Sequence, residues 1–403
     1  MFDTGNTGFM LVATSLVMLM TPGLAFFYGG LVGRRNVLTI MIQSFVSMGV
    51  TTIVWYLVGY SLCFSGDVGG FIGNLNNAFL QGINTTTPFG SSGIPLFVFI
   101  AYQMMFAIIT PALITGAFAN RVRFPAYIAF LVAWLILVYF PMVHMVWGGG
   151  ILQQWGVEDF AGGIVVHNIA GMAALASIIF VGKRLFPDKG PHSIPLVALG
   201  TGLLWFGWYG FNAGSELKVN AITATAFLNT DIAASFAGVV WLVMAWIFEK
   251  KPKFIGLLTG SVAGLATITP AAGYVTPTSA VIIGCLAGIV CYFAISLRSR
   301  MNLDDALDVW GVHGVGGFLG IVCLGVWADA SVNSAGVNGL LLGNPTFLFK
   351  ELAAVALTSV YAFAISYGML WVINKITPVK VTQEDEENGL DAAIHGESAY
   401  EMI

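Results

Sequence analysis

Long apolar runs broken by short polar connections set the pattern of this chain. A helix that crosses a bilayer needs about 20 apolar residues. Eleven stretches meet that need: 8–30, 37–64, 95–118, 124–145, 160–182, 194–214, 221–248, 254–271, 277–297, 308–328 and 349–374. The longest polar interruption within this series, 65–94, is rich in Gly, Asn and Thr and is expected to be a loop. The pattern predicts an all-α integral membrane protein with eleven spans.

The basic residues test that layout. Fourteen of the sixteen Lys and Arg residues follow odd-numbered spans: Arg34 and Arg35, Arg121 and Arg123, Lys183, Arg184 and Lys189, Lys250, Lys251 and Lys253, Arg298 and Arg300, Lys375 and Lys380. Only Lys218 and Lys350 fall on the other side. A miscounted span would scramble this alternation. By the positive-inside rule the N-terminus lies outside and the C-terminus inside. The expected division is a membrane domain over 1–378 and a cytoplasmic tail over 379–403.

Composition narrows the chemistry. Of 403 residues, 57% are hydrophobic and 9% charged, with a mean hydropathy of +0.85. Soluble domains carry about 25% charged residues, so each polar group inside a span is informative. A net charge of −4 with no basic patch makes nucleic acid a poor partner. Cys63, Cys285, Cys291 and Cys323 lack metal-site spacing and are expected to be small apolar packing groups. The N-terminus has no basic region ahead of its apolar run, so the first span is expected to stay in place. No metal or cofactor is expected.

Two histidines stand out. His167 in the fifth span and His313 in the tenth both sit in a Val-His-x-x-x-Gly string. An ionisable side chain within a membrane marks a pathway or a proton site by default. Five spans separate the two contexts. Five is odd, so spans 1–5 and 6–10 would be repeats of opposite orientation, a plan that many transporters use around a central site. The eleventh span is then an extra helix. Glycine is plentiful, with 49 residues, many inside spans, where small residues allow close helix approach.

Three clusters carry further polar and aromatic chemistry. They are Tyr102-Gln103-Met104-Met105-Phe106, the stretch from His144 through Trp147 and Asp159 to His167, and Trp208 through Phe211 to Ser215. In the expected orientation Trp147, Asp159 and Ser215 lie towards the outside, with Phe106 and Phe211 slightly deeper. Aromatic faces, a hydroxyl and a carboxylate suit a small cation, because rings attract desolvated cations by about 2 kcal/mol or more. The lumen below holds little that is polar beyond the histidines, so a bare cation could not cross cheaply. A cation able to shed a proton could cross as a neutral molecule, and imidazole can guide it and pass the proton. Asp159 precedes His167 by eight residues, about 12 Å along a helix, and is placed to cap the fifth span. His144 and His192, near span ends, are expected to be structural. Asp231, ten residues into the seventh span, has no evident role. The acidic run Glu384-Asp385-Glu386-Glu387 reads by itself as a solvated segment.

These strings resemble the Amt/Mep/Rh ammonium transporters, prokaryotic Amt branch, over nearly the whole length. They include Phe27-Tyr28-Gly29-Gly30, His144 to Gly150, Asp159-Phe160-Ala161-Gly162-Gly163, Gly207 to Ser215, Thr269 to Tyr274, Gly311-Val312-His313-Gly314 and Gly389-Leu390-Asp391. The resemblance implies a transporter, not an enzyme, in the cytoplasmic (inner) membrane. It implies an outer ammonium site at Trp147, Phe106 and Ser215, with Asp159 as a supporting acid. It further implies a phenyl gate of Phe106 and Phe211, and a twin-histidine pore of His167 and His313. A homotrimer, and a PII-type signal protein at the tail, are the implied partners. The alternative is an ammonium sensor of the same fold with little or no flux.

Overall fold

The computed structural model describes residues 2–400. Its helices follow the expected spans: α1 (Thr4–Leu31), α2 (Val37–Phe64), α3 (Leu96–Ile114), α4 (Phe124–Trp155, interrupted at Gly148-Gly149-Gly150), α5 (Gly163–Val181), α6 (Ile194–Glu216), α7 (Ala221–Glu249), α8 (Phe254–Ile268), α9 (Pro277–Arg300), α10 (Trp310–Trp327) and α11 (Pro345–Ile376). Ten of them are long and apolar enough to cross a membrane. The 65–94 segment is a loop, closed by a short hairpin of β1 (Pro88–Phe89) and β2 (Ile94–Pro95).

Helix α8 is shorter than its apolar stretch, with 15 residues. At 1.5 Å per residue that is roughly 22 Å, less than a bilayer core. It stops because Pro270 has no amide to continue the ladder, and the chain turns through Thr269–Tyr274, with Ala271 and Tyr274 amides closing on Ile268 and Ala271. Non-helical backbone at this depth needs protein partners. Asn229 of α7 supplies them, donating to the Ala272 and Val275 carbonyls at 2.9 and 2.8 Å.

The chain forms two inverted halves, α1–α5 and α6–α10, with α11 laid against α4, α5 and α10. The inversion is visible in detail at α5 and α10. Both begin with a π-helical stretch, Gly163–Asn168 and Trp310–Gly314, and each stretch carries a histidine. Both are capped by an aspartate eight residues before that histidine. Asp159 accepts from the amides of Gly162, Gly163, Ile164 and Val165, and Asp305 from those of Val309 and Trp310. The two caps lie on opposite faces, Asp159 on the N-terminal face and Asp305 on the face that bears the tail.

The tail is folded onto that second face. Helix α12 (Gln383–Asn388) starts at a Thr382–Asp385 capping box. Glu386 accepts from the Leu185 and Phe186 amides in the α5–α6 connection. Asp391 accepts from the Leu38 and Thr39 amides at 3.0 and 2.8 Å, which places a negative charge on the N-terminus of α2. The acidic run is therefore helical and only partly solvated: Glu386 is buried on loop amides, while Glu384 and Glu387 stay exposed.

Candidate functional site

The histidine pair is made where α5 crosses α10. The motif glycine of each helix packs on the other's backbone. A Cβ on Gly171 would collide with Gly314, and one on Gly317 would lie 2.7 Å from the Asn168 amide and 2.9 Å from the His167 Cβ. Any larger side chain four residues after either histidine would push the helices apart. The Val-His-x-x-x-Gly string is thus a crossing motif. It sets the imidazoles 5.2 Å apart, centre to centre and nearly parallel at 23°, with their Nδ1 atoms at 3.2 Å. One Nδ1 must carry the hydrogen and the other the lone pair. The His167 Nε2 is buried with no partner among the described residues. Both rings line the lumen.

A column of rings leads from the N-terminal face to this pair. Trp147 meets Phe106 edge-on at 6.0 Å, Phe106 lies over Phe211 at 4.2 Å, and Phe211 lies 6.0 Å from His167. Trp208 stacks beside His167 at 5.4 Å, held by its indole N–H on Thr269 Oγ1. Trp147 is aimed by its own N–H, which donates to the Asp159 carbonyl at 2.8 Å. Ser215 donates to the Phe211 carbonyl, and the Tyr102 hydroxyl sits 3.3 Å from the Ser215 oxygen.

Trp147, Phe106, Ser215 and Asp159 all line one cavity of about 500 Å³, together with Gln103, Phe160 and Tyr274. Below it the lumen narrows to a void of about 10 Å³ lined by Phe27, Val262, Trp208, Phe211 and both histidines. That is the lower limit for a single water. Past His313 and Phe27 it reopens into a second cavity of about 570 Å³ on the tail face, with Asp308 in its wall. Asp308 pairs with Arg298. The Asp159 carboxylate is engaged by four amides, so its charge lies beneath the first cavity rather than in its centre. Burial pushes its carboxyl above the ordinary aspartate range, opposed by those amide bonds. The same balance raises Asp305.

All six predicted site residues other than Asp159 lie on one path, and Asp159 underpins its entrance. Asp305, Phe27 and the two motif glycines complete the arrangement. The eight-residue Asp-to-His spacing, shared by both halves, was the signal that could have found Asp305. His144 and His192 are structural: His144 bridges the Cys63 carbonyl and Asp67, and His192 bridges the Val32 carbonyl and Tyr400. Asp231 accepts from the Tyr209 hydroxyl at 2.6 Å and the Trp205 indole at 3.2 Å; it is partly exposed and lines none of the three cavities described above.

Comparison with known proteins agrees with this geometry. Residues 8–400 match the profile of the Ammonium Transporter Family. The chain is 44% identical to an ammonium transporter of Bacillus subtilis over 98% of both chains. It is also 44% identical to the ammonium transporter Amt1 of Archaeoglobus fulgidus, over 98% of this chain and 99% of that one. The crystal structure of Saccharomyces cerevisiae Mep2 superposes with a TM-score of 0.89 at 33% identity, covering 95% of this chain and 91% of that one. A structure described as a sensor Amt protein superposes at 0.86 with 31% identity, covering 96% and 98%. The chain is a multi-pass membrane protein, not an enzyme, and it belongs to the ammonium transporter family.

Proposed function

We propose that this protein moves ammonium inward across the cytoplasmic membrane by a deprotonation mechanism built on the ring column and the histidine pair. The N-terminal face is the outer one, in keeping with the basic residues gathered on the tail face. Ammonium is held in the outer vestibule by the Trp147 and Phe106 faces and the Ser215 oxygen, with the Asp159 charge beneath. The constriction is the observation that carries the reading. A charged ion with its hydration shell does not fit a void of about 10 Å³ between apolar walls. Ammonium sheds its proton at the Phe106–Phe211 gate, and ammonia passes beside His167 and His313. Potassium has no proton to shed and is excluded by chemistry rather than by size. The paired Nδ1 atoms give the proton a route along the histidines.

The protein works as a homotrimer with one lumen per subunit. The half-exposed Asp231 supports association, because a carboxylate at membrane depth is disfavoured against lipid and favours a protein cover. The folded tail, residues 379–403, offers the inner face a docking surface for a PII-type signal protein.

The test is a double substitution, His167→Leu with His313→Leu. Ammonium-evoked current should fall by at least tenfold, or potassium should begin to compete. Wild-type ammonium current with unchanged selectivity would end the proton-relay reading.

A further inference from the structure

Two glutamates behind the outer vestibule take no part in the path just described. Glu351 enters on α11 and is fully buried. Its Oε1 accepts from the Glu158 amide at 2.7 Å, which draws its carboxyl up to the residue that precedes Asp159. The Oε2 atoms of Glu351 and Glu158 are both buried and both lack a partner among the described residues. The Asp159 and Glu158 charges both bear on Glu351. No cation lies within ion-pair distance of either carboxyl among the described residues. The nearby cation on α11, Lys350, is instead directed over Gly156. The other ionisable groups around the pair are Asp159 from the same loop and Tyr274 from the α8–α9 connection, with Glu216 acting on Tyr274.

The pair abuts the vestibule wall. A Cβ on Gly336 would lie 2.7 Å from the Tyr274 ring and 3.0 Å from the Glu158 Oε2, and Tyr274 itself lines the vestibule. A buried carboxyl and a partly buried neighbour without a cation cannot both ionise cheaply. We propose that Glu158 and Glu351 share one proton and form a titratable charge centre that sets how strongly the outer vestibule attracts ammonium. When the O–H bond breaks, the proton leaves to outer water. The pair then holds one more negative charge behind Asp159. Burial pushes Glu158 up to about 7, so this charge appears as pH rises through neutrality. The inference rests on the vestibule being the ammonium entry, and it adds a pH control that the ring column does not contain.

The experiment uses the purified full chain in proteoliposomes, with Glu158→Gln and Glu351→Gln. Glu351→Gln keeps an acceptor for the Glu158 amide, and Glu158, only partly buried, serves if the first variant does not fold. In the wild type, the ammonium concentration giving half-maximal current should fall roughly three- to tenfold from about pH 6 to about pH 8, as expected for one added charge nearby. With Glu158→Gln it should stay flat within about twofold, and with Glu351→Gln the pH of the transition should move. Infrared spectra should show a protonated carboxyl at the lower pH that Glu158→Gln removes. An unchanged pH dependence in the variants, or no such carboxyl, overturns the proposal. A wild type without ammonium current would overturn the transport reading instead, and the infrared band would then decide the pair alone.

Discussion

A neutral imidazole offers one donor and one acceptor, and the His167–His313 contact uses one of each. The remaining Nε2 positions therefore differ in kind, one donor and one acceptor, which suits a small neutral molecule that can do both. In the proposed entry site the residue to test is Trp147. Its ring is aimed by a hydrogen bond to the Asp159 carbonyl, stands near-perpendicular to Phe106 and lines the cavity, where the proposed cation would meet it. Replacing Trp147 with Leu should raise the half-saturating ammonium concentration roughly tenfold, the worth of one partly desolvated cation–π contact, with a smaller effect on maximal current. Equal concentration dependence in wild type and variant would remove Trp147 from the recruitment site. Asp159 works differently from its neighbours, since its four amide contacts make it the start of α5 first and an electrostatic support second.

At the scale of helices, the α5–α10 crossing governs the site. Gly171→Leu or Gly317→Leu should separate the histidines, lower the melting temperature by several degrees through overpacking, and abolish current in protein that still reaches the membrane. Full current in either variant would mean the close crossing is not required. The span count, the histidines and the aromatic strings were legible in the sequence, because apolar length and misplaced polarity are local signals. What escaped was non-local. The α8 stop at Thr269-Pro270 looked like continuing apolar chain, and its backbone is satisfied by Asn229 from another helix. Asp305 lay in a polar connection where an aspartate is unremarked. Asp231 acquired its partners, Tyr209 and Trp205, only when α6 met α7.

The whole molecule is two inverted halves that place an acid-capped, histidine-bearing helix start on each face, with the tail latched to one of them. Asp391 holds the tail on α2 while Glu386 holds it on the α5–α6 connection, so the tail ties the first half to the junction between the halves. Asp391→Ala should expose residues 379–400 to proteolysis while the membrane helices stay resistant. Equal resistance of tail and core in that variant would show that the latch is carried elsewhere. The inverted plan, the vestibules and the pinched lumen support the proposal that ammonium enters as a cation, crosses the narrow segment as ammonia, and has its proton carried along the histidines. Charge displacement in wild-type proteoliposomes on a solid-supported membrane, after a jump in ammonium concentration, tests it most directly. A sustained, saturable current for ammonium and none for potassium is the predicted result. Only a brief binding transient, with no sustained charge movement and no ammonia uptake, would contradict transport and leave a sensor.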